Sequence, residues 1–180
     1  MESIMEPMLQ AIFARRSMRK FTDETVTPDQ LDLLLQAGMS APSAVNSQPW
    51  EFVVITEPEM LSGLQEILPY GKFPAPAVIL VCGSQRVAKN PAGLMFWIQD
   101  CSAATENILL AATALGLGSC WVGIHPIPLI GKRVAKLFHL PLGVTPLCAI
   151  YLGHPQFIKQ PKPKYDPTRI HWQIYGDKKE

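Results

Sequence analysis

The chain lacks the spacings that announce metal or hydrolytic chemistry. It has no CxxC pair, no H-E-x-x-H, no G-x-S-x-G and no G-x-G-x-x-G opening a helix after a strand. Its four histidines, His125, His139, His154 and His171, show no ligand spacing, so no metal site is expected. Cys82, Cys101, Cys120 and Cys148 are far apart inside apolar segments, which argues against a disulfide framework and for buried, reduced thiols. Charge of one sign is also missing: sixteen basic residues against fifteen acidic give a formal net charge of +1. A nucleic-acid or anionic-membrane footprint needs a basic excess on one face, so neither partner is expected. The longest apolar stretch, around ILLAATALGLG, is about half a membrane span, and MESIMEPMLQ carries two acids and no basic leader-like region. The reading is a cytoplasmic, non-membrane protein.

What is present is enough apolar residue, 48% of 180, for one well-filled core. Residues 7–16 read as a helix with Pro7 in its first turn, Met8, Leu9, Ile12 and Phe13 on one face, and Arg15 and Arg16 in its last turn. Thr27, Pro28 and Gln30 spell a capping box, followed by Leu31, Leu34, Leu35 and Gly38 at helical spacing. WEFVVIT (50–56) and AVILVCG (77–83) read as buried strands, with a helix over 59–68 between them. Residues 95–116, apolar nearly all round, form the expected central helix. A strand at 119–124, a helix at 129–138 and a strand at 146–152 complete the order, which by itself favours a doubly wound α/β sheet. From Pro155 the composition turns Pro-rich and basic with embedded Ile170, Trp172, Ile174 and Tyr175, as expected of an arm that docks on another surface.

Three stretches carry candidate chemistry. RRSMRKF (15–21) packs Arg15, Arg16, Arg19 and Lys20 into seven residues. Cations closing a helix need no ligand. In an extended segment, however, Ser17 and Arg19 share a face, and a hydroxyl beside a guanidinium suits a phosphate or a heterocycle carbonyl. SAPSAVNSQPWEF (40–52) offers Ser43, Asn46 and Gln48, whose donors and acceptors can read a planar heterocycle edge; Trp50 belongs to the core. LGLGSCWVGIHP (115–126) places small residues where a backbone can approach a flat ring. No acid–base pair accompanies them, so a bound cofactor is the expected carrier of the chemistry.

Taken in order, ARRSMRKFTDETVTPDQLDLLLQAGMSAPSAVNSQPWEFVVI, ENILLAATALGLGSCWVGI and PKPKYDPTRIHW resemble the FMN-dependent nitroreductase family, in its short, minimal branch. The resemblance implies an α+β fold: a mixed, mainly antiparallel sheet surrounded by helices, in an intertwined homodimer. Residues 1–154 would form the FMN-binding core and 155–180 an arm on the partner subunit. It implies that Arg15, Arg16, Ser17 and Arg19 hold the flavin phosphate, ribityl chain and pyrimidine edge. Pro42, Ser43, Ala44, Asn46 and Gln48 would border the ring from the other subunit, while Cys120, Trp121, Val122 and Gly123 lie along its face. Lys162 and Lys164, where many relatives carry Arg, and Arg169 are the arm cations that would close on the phosphate. Lys keeps the charge but loses the bidentate fork.

The implied reaction is ping-pong: NADH or NADPH gives hydride to flavin N5, and a nitroaromatic, quinone or similar small acceptor takes it, with no catalytic side chain. Only about a dozen residues, SQRVAKNPAGLM, separate the second strand from the long helix. That leaves a less covered pocket, for which Lys72, Met95, Phe96 and Trp97 are candidates, the last three reading as core sooner than as pocket. Alternatives stay open: another family reaction such as dehalogenation or flavin fragmentation, a flavin-binding or electron-transfer protein without nicotinamide-driven turnover, or a flavin-free structural homodimer.

Overall fold

The computed structural model describes residues 7–162 and 164–178; the acidic MESIME start lies outside them. Five helices, α1 (Pro7–Ala14), α2 (Pro28–Met39), α3 (Pro58–Ile67), α4 (Ala92–Ala114) and α5 (Pro128–Leu137), accompany four strands. These are β1 (Trp50–Ile55), β2 (Ala77–Ser84), β3 (Gly118–Gly123) and β4 (Val144–Gly153). The capping box forms as the sequence dictates. Gln30 N donates to Thr27 Oγ1 at 3.2 Å, and Thr27 N donates to Gln30 Oε1 at 2.9 Å. Those bonds satisfy two amides that the first turn would otherwise leave open.

The strands run β1-β2-β4-β3, and every neighbouring pair is antiparallel. The doubly wound arrangement favoured by element order is therefore overturned, and the fold is α+β. The reason is visible in β2, whose eight residues are all buried. A continuous apolar run signals a strand covered on both faces, and coverage does not specify direction. Ile79, Val81, Cys148 and Ile150 pack with Leu31 and Leu34 of α2 and with Ala104 and Ile108 of α4. Val78, Leu80, Ala149 and Tyr151 pack with Leu61 and Leu64 of α3 and with Val134 of α5. The register shifts between Val81 and Cys82, opposite Pro146, where proline cannot donate to the ladder.

Other expectations change at their edges. Helix α1 ends at Ala14 without a basic residue in its last turn, so Arg15 and Arg16 lie beyond the helix. The chain is drawn out of the helix because Ser17 bridges Ser119 and Met18 N donates to Ser119 O at 2.8 Å. No α1 residue is buried within this chain; Met8 is 66% and Phe13 56% exposed. Met95 and Phe96, which read as core, face outward on α4, while Trp97 packs against the core. A Cβ on Gly83 would sit 2.1 Å from Trp97 Cε3, so only glycine lets that ring lie on β2. All four cysteines are buried and free. Burial pushes the Cys82 and Cys148 thiols up to about 12 and the Cys101 thiol higher still.

Candidate functional site

Strand β3 is a sheet edge whose inner side pairs with β4. Since Ser119 O points outward to Met18 N, strand alternation turns the backbone N–H and C=O of Trp121 and Gly123 outward too, where no further strand follows. Cys120 and Val122 instead point their backbone toward β4 and their side chains into the core. Of the four expected ring-facing positions, Trp121 and Gly123 are thus the ones that present open amides. A Cβ placed on Gly123 would meet nothing within 4 Å, so space adjoins this edge.

The bridge between Ser17 and Ser119 brings the RRSMRKF and GSCWVG stretches together. Arg15 reaches Glu106 on α4 at 3.6 Å, a loose pair. Arg16 donates to the Gln160 carbonyl. Arg19 and Lys20 have no ion pair among the described residues. The Cys120 thiol is held above its ordinary value by burial, while Arg19, Lys159 and Arg15, in that order, pull it back. Three cations therefore act on this part of β3, and among the described residues the one ion pair they make is Arg15–Glu106. Ser119 Oγ is buried here and has no hydrogen-bond partner among the described residues.

Lys159 was not legible as a site residue. It sits three positions before Lys162 in a tail of interchangeable lysines, and only the fold shows its ammonium donating to Ser17 O at 3.0 Å. Lys162 and Lys164 are exposed, and Arg169 is 84% exposed and pairs with Asp166 at 3.1 Å. None of these three makes a hydrogen bond to residues 15–19 among the described residues. Lys72 is also exposed; its neighbour Gly71 lies against Tyr151, the cross-strand partner of Cys120.

The 42–48 loop forms elsewhere, on the N-terminal half of α4. Ala44 N donates to Asp100 Oδ1 at 2.9 Å, Gln48 N to Ser43 Oγ at 3.0 Å, and Asn90 Nδ2 to Val45 O at 2.9 Å. Gln48 Nε2 donates to Asn46 Oδ1 at 3.0 Å, and Lys89 donates to Gln48 Oε1. Val45, Asn46 and Gln48 adopt φ near +50°, with Val45 80% exposed. A β-branched residue in that region costs about 1–3 kcal/mol and persists only where surroundings impose it. Asp100, 5% exposed with Oδ2 unpartnered among the described residues, is the anchor. Its sequence signal was one of two carboxylates, with Glu106, in a largely apolar helix. Pro42 is exposed, and Ser43 and Ala44 are partly buried. The recorded bonds of this loop reach Lys89, Asn90 and Asp100, and none reaches residues 15–21.

The 15–21 and 42–48 stretches thus lie apart on the chain, with no recorded bond between them. The nitroreductase family model matches residues 12–70 and 64–154. The chain belongs to the nitroreductase family. A protein of Methanothermobacter thermautotrophicus, provisionally named an NADH dehydrogenase/NAD(P)H nitroreductase, is 42% identical over 166 residues, covering 91% of this chain and 85% of its own. A similarly named structure from Parabacteroides distasonis superposes with a TM-score of 0.89 at 36% identity, covering 95% of this chain and 100% of that one. A nitroreductase-like structure from Desulfovibrio desulfuricans, solved in complex with FMN, gives 0.79 at 32% identity, covering 95% and 99%. Among the described residues of this nitroreductase-family chain, no cluster of three or more His, Cys, Asp or Glu could hold a metal, and no helix is long and apolar enough to cross a membrane.

Proposed function

We propose that this chain is an FMN-dependent oxidoreductase that uses NADH or NADPH to reduce nitroaromatic, quinone or similar small acceptors, as a homodimer with shared flavin sites. The observation that carries the reading is the Ser17–Ser119 bridge, which sets a cation cluster beside the open amides of an edge strand. The residues fit FMN: an excess of cations suits a phosphate of nearly two negative charges, and outward N–H groups suit the acceptors of a flat heterocycle. When bound, FMN supplies two-electron hydride chemistry at N5.

The chain's own part is to bind and orient. Arg15, Arg16, Ser17 and Arg19 would hold the phosphate, ribityl chain and pyrimidine side, and Trp121 and Gly123 would direct backbone N–H groups at the ring edge. Cys120 and Val122 act by keeping β3 seated on β4. The same cations stabilise negative charge that arrives on the pyrimidine side. No side chain need move a proton in the hydride step, consistent with the missing acid–base pair.

The 42–48 loop, strained and presented outward, would border the ring of the other subunit. Its distance in bonding from residues 15–21 supports that split, as does α1, which touches α4 of its own chain yet leaves Met8 and Phe13 more than half exposed. The core would span 1–154 and the arm 155–180, with Lys162, Lys164 or Arg169 closing on a phosphate. Met95, Phe96 and Trp97, with Lys72, remain the proposed acceptor-pocket residues.

Steady-state oxidation of NADH and NADPH with menadione or nitrofurazone as acceptor tests this reading. FMN-dependent turnover with parallel double-reciprocal lines supports it. A protein that retains FMN without turnover is a carrier, and one that FMN cannot reconstitute is neither.

A further inference from the structure

The first residues of the C-terminal arm do not leave their own chain. Thr22 N donates to His154 O at 2.8 Å, Gln156 N to Lys20 O at 3.1 Å, and Gln156 Nε2 to Phe21 O at 2.8 Å, around an antiparallel bridge of Phe21 with Pro155. Residues 154–156 therefore continue the flavin-binding segment's own edge. Pro155 has no N–H to give, and beyond Gln156 the main-chain bonds between the two stretches stop. Side chains take over in a reciprocal clasp. Lys159 Nζ donates to Ser17 O at 3.0 Å, and Arg16 donates back to the Gln160 carbonyl.

Lys159 makes no ion pair among the described residues, so its ammonium is committed to a main-chain carbonyl. Its ammonium lies 6.0 Å over the Phe157 ring, at the outer reach of a cation–π contact. Its charge reaches Cys120 together with those of Arg15 and Arg19, which places it at the same end of β3. Ser17 is the residue that bridges β3, so holding its carbonyl fixes the segment that carries all four cations.

We propose that Lys159 is a positioning residue: it orders residues 16–22 for the flavin and couples that order to the start of the arm. This rests on the FMN reading above for its ligand but not for its geometry. A direct phosphate ligand would act on FMN alone. A positioning lysine acts on any flavin that uses the segment, because it works through the backbone.

Lys159→Met keeps the stem and removes the donor. Hydrogen exchange of the flavin-free protein should show the amides of residues 17–22 exchanging at least fivefold faster, and Lys159→Arg should restore protection. In flavin-fluorescence titrations, Lys159→Met should weaken FMN and riboflavin by the same factor, about tenfold for a lost charge-assisted bond. The dependence of log Kd on log salt should be unchanged, since no phosphate contact is lost. Unchanged exchange in 17–22 overturns the proposal. So does a loss confined to FMN with a shallower salt slope, which would make Lys159 a phosphate ligand. Should the wild-type protein bind neither flavin, the functional reading falls, while faster exchange in Lys159→Met would still support the clasp.

Discussion

Replacing Arg15 and Arg19 together by alanine isolates the charge that the proposed site depends on. Arg15 is one-fifth exposed and already leans on Glu106 at 3.6 Å; Arg19 is exposed and unpaired among the described residues. A charge-assisted bond in a partly closed site contributes roughly 1.5–3 kcal/mol. An exposed, screened one contributes about 0.5–1 kcal/mol. The pair therefore accounts for about 2–4 kcal/mol of FMN affinity, or roughly 30- to 1,000-fold at 1.4 kcal/mol per decade. The fold should survive, because Met18 and Phe21 keep the segment buried and the half-exposed Arg15–Glu106 pair adds no more than about 1 kcal/mol. Titrating FMN into wild type and variant at two salt concentrations reads the effect. At least a tenfold rise in Kd with a shallower salt dependence is expected, with an unchanged melting temperature within a few degrees. Unchanged affinity would make these cations solvated surface charge and remove the phosphate assignment.

Gly83→Ala should lower stability by about 1–3 kcal/mol and shift Trp97 fluorescence, because the new Cβ would lie 2.1 Å from the indole; thermal melts with emission spectra check it. Truncation before Pro155 should cost flavin retention, since it removes the Phe21–Pro155 bridge and the Lys159 clasp together, and the dimer, since it removes the arm proposed to pack on the partner. Size-exclusion chromatography with absorbance detection reads both, and a truncated protein that stays yellow and dimeric would contradict the arm's role. Stability should decline in alkali. Cys82, Cys148 and Tyr151 hold their protons to about 12 when folded, against ordinary values near 9 or 10. Their contribution is complete below about pH 9 and is lost as pH rises toward about 12, because the unfolded chain gives up those protons first. A melting temperature flat from pH 7 to 9 that then falls steadily is the expected profile.

The helices and strands were legible because local chemistry writes them: a capping box at Thr27, prolines at the starts of α2, α3 and α5, and β-branched runs in β1 and β2. Strand direction was not, since β2 is buried on both faces and its all-apolar run carries no sign of antiparallel pairing. The end of α1 was misplaced by two residues because the force that stops it, the edge of β3, is a hundred residues away in sequence. For the same reason RRSMRKF could be suspected but Lys159 could not: a lysine in a basic tail acquires its role only when the tail is laid beside residues 16–22. Met95 and Phe96 read as core because apolarity marks a surface that is to be covered without saying which chain covers it.

The most direct test of the central claim is anaerobic absorbance of the FMN-reconstituted, desalted protein after addition of NADH or NADPH. Bleaching of the bound flavin band within seconds, with colour restored by a quinone or nitroaromatic acceptor, is the predicted result. Bound flavin that stays yellow with both nicotinamides would contradict a nicotinamide-driven reductase.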